Sequence, residues 1–449
     1  MKLTHLLSVL VSLQIATAIE LDTSSKESVC AAAKLVAEGA MNYLDFSKGI
    51  GLLSDPYYWW HAGGMWGGMV DYWYFCDDDD YEDLIYESLL AQRGDDNNYI
   101  PSNQSTTEGN DDQGFWGLAV MEATERNFTN PTGDIPGWLA LTQAVYNTMW
   151  ARWDDSYCGG GLRWQIFTWN SGYNYKNTIS TACLYNLATR LGRYTGNETY
   201  FDVADTAYEW LVTIGFLDAD NGTALIYDGA EVEDNCSSIT KIEWTYNYAL
   251  ILSGSAYAYN ATGEDKWYER ANDVFQGSKV FFNDSVMYER ACQASGTCNN
   301  DQRIFKSFFA RALGHTEALI SEFSDEIHAL LVTSAAAAAQ TCVGGTDGMT
   351  CGLDWSYSGW DGYYGVGEQM SALEVIQNVL VSGYGSDTPY TNTTGGSSVG
   401  DADAGLSTIG ETSLDSGKLD ITSGDRAGAG IITAVIISVI TSGSIWMVL

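Results

Sequence analysis

The strongest constraint on this chain is helical periodicity that recurs in segments too short to form domains of their own. Twelve candidate helices begin near Lys26, Trp66, Tyr81, Gln113, Gly137, Thr178, Glu198, Glu243, Glu264, Gln302, Ser324 and Val366. The linkers alternate in character. Those after odd-numbered helices are mostly long and rich in Gly, Trp, Tyr and Asn. Those after even-numbered helices are often short and polar, as in "YTGNETY" and "YNATGEDKWY". Both strings run from an aromatic through Thr-Gly or Asn-Ala-Thr-Gly to an acidic residue and an aromatic that opens the next helix. They form a weak internal repeat with a period of about 65 residues. Six helical hairpins in series cannot each bury a core alone. Closing them into a ring of inner and outer helices buries one continuous core. The predicted class is therefore all-α, an (α/α)6 barrel of six helical hairpins. An open solenoid fits less well, because spacings of roughly 50 to 65 residues are long and irregular for one.

Both ends of the chain read as processing signals. Lys2, the apolar run Leu6 to Ile15 and the small residues Ala16-Thr17-Ala18 predict a secretory signal peptide over residues 1–18. Ile431 to Leu449 is an apolar run with no basic residue after it, preceded by Ser423 and Gly424 and a short polar spacer. That pattern predicts a glycolipid (GPI) anchor signal, with the tail over 425–449 removed and a Ser/Thr/Gly-rich stalk over 391–424. The alternative is a C-terminal membrane span. The expected location is outside the cell, anchored at the outer face of the plasma membrane. Residues 19–390 remain as the folded domain.

Charge and cysteines narrow the function classes. A net charge of −37 and a pI near 4.1 repel nucleic acid and anionic membranes. Eight Asn-X-Ser/Thr sequons, at Asn103, Asn127, Asn197, Asn221, Asn235, Asn260, Asn283 and Asn392, suit a secreted glycoprotein. With nine cysteines in an oxidising compartment, most should pair. Cys292 with Cys298 and Cys342 with Cys351 are close enough to close small loops, and Cys183, inside a buried-helix pattern, is the candidate left unpaired. Four histidines and no CxxC give no metal motif, so neither a metal nor a cofactor is expected.

Six linkers enter the inner helices: "DPYYWWHAGGMW", "TTEGNDDQGFW", "QIFTWNSGYNYKN", "SSITKIEWTYNY", "CNNDQRIFKSFF" and "DWSYSGWDGYYGVGEQ". In a barrel they meet at one rim. Aromatic faces beside Asp, Asn, Gln and His suit a sugar, whose apolar face stacks while its hydroxyls are bonded. From this rim Trp60, His61, Trp66, Trp116, Tyr246, Trp360 and Tyr364 are candidate stacking or shaping groups. Asp71, Gln113, Asn247 and Asp361 are candidate hydroxyl partners, although Asp71 would serve equally to tie one helix to another.

Among the Asp-Asp pairs, "DDDD" at 77–80 reads as an acidic helix start, "GDDNNY" as a polar loop and "WDDSYCGGG" as a turn. Asp111 and Asp112 differ in lying at the mouth of an inner helix, with Glu108 nearby and no Lys or Arg in the ten residues before them. An N-cap alone would explain one acid. Two at close range push one proton affinity up, which is the condition for one to act as base while the other holds a proton. A retaining glycosidase needs its two carboxyls about 5–5.5 Å apart. Local sequence treats the two aspartates alike.

The strings "DPYYWWHAGGMWGGMVDYW", "EGNDDQGFWGLAVMEATERNF", "CGGGLRWQIFTWNSGYNYKNTIS", "EWTYNYALILSGSAYAYNATG" and "LDWSYSGWDGYYGVGEQMSALEV" closely resemble glycoside hydrolase family 76, in its fungal cell-wall branch of mannan endo-1,6-alpha-mannosidases. The resemblance covers about residues 20 to 390. It implies an (α/α)6 barrel and a retaining reaction on α-1,6-linked mannose, with Asp111 as nucleophile and Asp112 as general acid/base. It further implies a mannan or GPI-core glycan donor, with water or a wall β-glucan as acceptor. The competing class is a non-catalytic mannan-binding wall protein with the same aromatics, anchor and glycosylation.

Overall fold

The computed structural model describes residues 18–409 together with Thr433. Apart from Ala18 and Thr433, the expected signal peptide, the stalk beyond residue 409 and the anchor tail lie outside the described residues. Among the described residues there are twelve α-helices: α1 (Lys26–Met41), α2 (Trp59–Cys76), α3 (Glu82–Ala91), α4 (Asn110–Glu125), α5 (Trp138–Ala151), α6 (Thr178–Thr195), α7 (Thr199–Ile214), α8 (Thr245–Thr262), α9 (Asp265–Ser278), α10 (Asn300–Leu319), α11 (Ser321–Thr341) and α12 (Val366–Gln377). The even-numbered helices each pack on the next, and α12 closes back onto α2. The odd-numbered helices lie outside them, α1 on α12, α5 on α4, α7 on α6, α9 on α8 and α11 across α10 and α12. This is the expected (α/α)6 barrel. Three two-stranded ribbons decorate the loops, one pairing Tyr175–Asn177 with Gly229–Glu231.

The internal repeat has a physical origin. Gly196 and Gly263 end α6 and α8 in the left-handed conformation, at φ 72° and 68°. Each donates its N–H four residues back, to Gly192 and Tyr259, so the repeated Thr-Gly is a helix stop followed by a tight turn.

Eleven helices start within three residues of the expected positions; α2 starts seven residues early, at Trp59. Its Gly- and Trp-rich opening looks like linker. The glycines are instead contact points between inner helices: a Cβ on Gly64 would lie 2.6 Å from the Phe308 ring. The same holds on α4, where a Cβ on Gly114 would meet Cys183 of α6 at 2.5 Å.

Cys292–Cys298 and Cys342–Cys351 are paired and Cys183 is a buried free thiol, as expected. Cys30–Cys76 joins α1 to the end of α2, and Cys158–Cys236 ties two loops.

The end of the barrel away from the inner-helix N-termini is closed by a buried ionic network to which all six inner helices contribute. Arg126 bonds Asp71 at 2.7 Å, Arg190 bonds Glu122 at 2.8 Å and Glu125 at 2.9 Å, and Arg311 bonds Glu374 at 3.1 Å. His315 lies 3.1 Å from Glu122, and the Tyr257 hydroxyl donates to Glu125 at 2.9 Å. Asp71, Glu122 and His315 converge closely enough to suggest a metal, but Arg126, Arg190 and Arg311 already supply the positive charge there.

The expected stalk differs in its first part. From Tyr390 the chain runs along the outer surface and climbs α5. Tyr390 N–H donates to Glu125 O, and Ser397 N–H to Asn127 Oδ1 at 2.8 Å. Leu139 N–H donates to Ser398 Oγ at 2.9 Å, Asp401 N–H to Gln143 Oε1 at 2.7 Å, and Asn147 to the carbonyls of Ala402 and Ala404 at 2.9 Å. The folded unit therefore extends past residue 390.

Candidate active site

Because hairpins alternate direction, the six inner helices present their N-termini at one end. Their positive dipole ends favour anions there. A cavity of about 490 Å³ opens at this end. Five carboxylates line it, Glu108, Asp111, Asp112, Asp228 and Asp301, and no Lys or Arg does.

The start of α4 is held from several sides. Asn110 N–H donates to Trp164 O at 2.7 Å, its side chain donates to Arg163 O at 2.8 Å, and Arg152 bonds its Oδ1 at 2.8 Å. Gly109, rather than Asn110 or Asp111, is the N-cap. Asp112 Oδ2 reaches back to accept the Gly109 N–H at 2.6 Å, and Asp111 Oδ1 accepts the Asp112 N–H at 3.1 Å. Both carboxylates close over Gly109, where a Cβ would collide with Asp111 Oδ1 and lie 3.2 Å from Asp112 Oδ2. These two oxygens are thus no farther apart than the roughly 5–5.5 Å of a retaining pair, and short of the roughly 6.5–9.5 Å of an inverting one.

Their protonation differs. Burial pushes Asp111 up to about 7, against the opposing backbone N–H groups of Asp112 and Asp111 and the Trp164 side chain. Asp112 is pushed well above the carboxylate range by burial and then by the charge of Asp111, with the Gly109 N–H acting against them. As pH rises through neutrality Asp111 therefore ionises first, while Asp112 keeps its proton. Glu108, buried with neither carboxyl oxygen bonded, is also pushed up, by burial and then by Asp112, and stays neutral.

Asp301 faces this pair from α10, across the ring. It accepts the Trp60 indole N–H at 3.2 Å and lies 3.4 Å from His61 Nε2. His61 is neutral, because burial pulls it down to about 4. Its Nδ1 accepts the Tyr58 N–H at 3.2 Å, which leaves the proton on Nε2, toward Asp301 and the Asn300 carbonyl. On another wall Asp228 accepts from the Tyr175 hydroxyl at 2.6 Å and the Trp244 indole at 3.0 Å. Tyr246 stacks on Phe305 at 3.7 Å between ring centroids. The negative charge of Asp301 raises both Asp111 and Asp112. Asp301→Asn is therefore expected to move the acidic limb of a kcat/KM–pH profile to lower pH; an unmoved limb would remove Asp301 from the electrostatics of the pair.

Of the sequence-predicted site residues, Asp111, Asp112, Trp60 and Tyr246 line the cavity together. His61 sits one layer behind, where it orients Asp301. The others are elsewhere. Trp66 is fully buried, its indole bonded to Gly51 O at 2.8 Å. Trp116 is buried between Trp59 and Tyr99. Gln113 joins α4 to α5 through Thr148 at 2.9 Å, and Asn247 is fully buried in α8. Asp71 belongs to the ionic network at the opposite end, the helix tie that its sequence allowed. Trp360, Asp361 and Tyr364 stand on the rim outside the cavity lining, and Asp361 spends its carboxylate on backbone N–H groups of its own loop. These corrections share a cause. Position along an inner helix selects a face every three or four residues, and linker composition does not reveal which face points inward. Trp244, Asp301 and Phe305 line the cavity from within the aromatic linkers, where nothing in the local sequence sets them apart from their neighbours. Asp228, in the loop just before the strand Gly229–Glu231, has no sequence signal.

Residues 28–393 match Glycosyl hydrolase family 76. The mannan endo-1,6-alpha-mannosidase DFG5 of Saccharomyces cerevisiae is 53% identical, over 96% of this chain and 94% of its own length. The Saccharomyces cerevisiae mannan endo-1,6-alpha-mannosidase DCW1 is also 53% identical, over 100% of this chain and 99% of its own. The crystal structure of Dfg5 from Chaetomium thermophilum in complex with glucosamine is 39% identical and superposes with a TM-score of 0.82, covering 86% of this chain and 98% of that one. The alpha-1,6-mannanase GH76A of Salegentibacter shares the fold, with a TM-score of 0.63 at 18% identity over 78% of this chain and 98% of that one. Fold, motifs and whole-length similarity agree: this chain is a glycoside hydrolase and belongs to family 76.

Proposed function

We propose that the protein cleaves α-1,6-mannosidic bonds with retention of configuration, through Asp111 and Asp112. The observation that carries this reading is the close pair of buried carboxylates, Asp111 and Asp112, in an aromatic cavity. The Asp111 carboxylate attacks the anomeric carbon while Asp112 gives its proton to the departing glycosidic oxygen. A mannosyl ester on Asp111 results. Asp112, now a carboxylate, takes a proton from an incoming hydroxyl as that oxygen attacks the same carbon and frees Asp111. Water as the incoming group gives hydrolysis, and a sugar hydroxyl gives transfer. A non-catalytic mannan-binding protein would have no use for two acids converging on one point. Trp60, Tyr246 and Phe305 shape the apolar wall, and Asp301 and Asp228 accept hydroxyl protons.

The donor is an α-1,6-mannan or the glycan core of a GPI anchor. The named activity of the mannosidase relatives supports the first. An acidic lining with no Lys or Arg among the described residues suits the ammonium of a glucosamine in the second, and the Chaetomium relative was solved with glucosamine. The acceptor is water or a wall β-glucan. The protein acts at the outer face of the plasma membrane or in the wall, held by a GPI anchor. Four disulfides fit that oxidising location.

Mass spectrometry of products from α-1,6-mannooligosaccharides and a GPI-core glycan, with and without laminarin oligosaccharides, tests this. Shortened mannosides or mannosyl-glucan adducts are the expected products. Binding without turnover on every donor would leave the mannan-binding protein as the correct description.

A further inference from the structure

Two tryptophans outside the cavity are built as sugar platforms. Trp169, in the loop between α5 and α6, stacks on Phe167 at 4.9 Å and donates its indole N–H to Ser105 O at 2.9 Å. Trp360, in the loop between α11 and α12, lies against the backbone of Gly344, where a Cβ would come within 2.5 Å of the ring. Its indole N–H donates to Tyr363 O. Each ring thus has one face covered and its edge tethered. Even so, Trp169 remains 53% exposed and Trp360 36%. A fixed indole with one open face is preorganised for stacking and loses little freedom when a ring lands on it.

The loop that carries Trp360 is rigid for the same purpose. Asp361 takes the backbone N–H groups of Leu353, Asp354 and Tyr363 at 3.1, 2.8 and 3.0 Å. The Cys342–Cys351 disulfide closes its base, and the Tyr363 hydroxyl ties it to Gly296 at 3.1 Å.

The two indoles belong to opposite sides of the barrel mouth. Trp169 is fastened to the linker before α4. Trp360 sits in a loop fastened to the linker before α10 and leading into α12. In a ring of six, α4 lies opposite α10 and α6 opposite α12. Trp164 lines the cavity on the first side and Tyr58 on the second. A strongly acidic protein offers such a surface to a neutral chain rather than an anionic one.

We propose that Trp169 and Trp360 are outer subsites that hold an α-1,6-mannan chain across the mouth, on either side of the residues bound in the cavity. This rests on the mannan reading above and deepens it: the preferred donor is a polymer that extends beyond the cavity on both sides. The test is kcat/KM against chain length, from mannobiose to long α-1,6-mannan, for wild type, Trp169→Ala, Trp360→Ala and the Phe variants of both. The ratio of long-chain to mannobiose turnover is expected to fall roughly two- to tenfold at each Ala variant. The Phe variants, which keep a ring face, should recover part of it. A ratio unchanged in both Ala variants overturns the proposal. Calorimetric binding of mannohexaose and laminarihexaose to the same variants separates the two readings if wild type cleaves nothing. Weakened mannohexaose binding alone supports the subsites even where the catalytic reading fails. Weakening confined to laminarihexaose, or none, overturns them.

Discussion

Asp112→Asn is expected to lower kcat on α-1,6-mannooligosaccharides by roughly 10²- to 10⁴-fold while leaving their binding largely intact. Asp111→Asn should remove turnover altogether, because no other carboxylate shares its position against Asp112. The two variants should separate on a mannoside with a good leaving group, such as a dinitrophenyl mannoside. That bond needs no protonation, so Asp112→Asn regains its first step and accumulates the mannosyl enzyme, and Asp111→Asn gains nothing. Steady-state and burst kinetics on both substrates measure this. Equal rescue of the two variants would mean that their roles are not divided as proposed. Folding stability provides a companion sign. Asp111 is raised from 3.8 to about 7 in the folded protein. The folded state therefore favours its protonated form, and this contribution is present below pH 3.8 and lost as pH rises to about 7. Asp111→Asn should flatten the stability profile across that window.

Arg126→Met is expected to destabilise the fold by roughly 3–5 kcal/mol although it is remote from the cavity. Arg126 is buried beside Asp71 and Glu122, at 2.7 and 3.2 Å. Its loss leaves buried carboxylates without their cation, and removing one partner of such a pair costs far more than the pair itself contributes. Arg126→Met combined with Asp71→Leu should recover part of the loss. By contrast, Lys26→Met removes a pair with Asp77 in which both side chains are exposed, and should cost at most about 1 kcal/mol. Urea denaturation of the four proteins makes the comparison. Equal midpoints for Arg126→Met and Lys26→Met would show that the network contributes nothing special to closing the barrel.

The barrel was legible because its evidence repeats: alternating linkers, helix stops at Gly196 and Gly263, and a dozen amphipathic or buried helical segments all indicate one ring. The catalytic pair was legible because two adjacent acids at a helix mouth leave few placements. The rest of the site depends on rotation. Gln113 directly follows Asp112 yet turns into the barrel wall to bond Thr148, and Trp66, six residues after Trp60, turns away from the cavity to bond Gly51. Asp301 and Asp228 enter the cavity from α10 and from the loop before Gly229–Glu231, brought beside α4 only by the closing of the ring. The ionic network was invisible for a related reason. Asp71, Glu122, Arg126, Arg190, Arg311 and Glu374 are scattered along five helices, and only the common direction of the inner helices brings them to one end.

The stereochemistry of the first product tests the proposed mechanism most directly. Proton NMR should follow the anomeric signals as the enzyme begins to cleave an α-1,6-mannooligosaccharide, before mutarotation scrambles them. If Asp111 forms a mannosyl ester and a second displacement releases it, the α-anomer must appear first. Initial release of the β-anomer would contradict a covalent step at Asp111 and would require Asp111 and Asp112 to act through a single displacement by water.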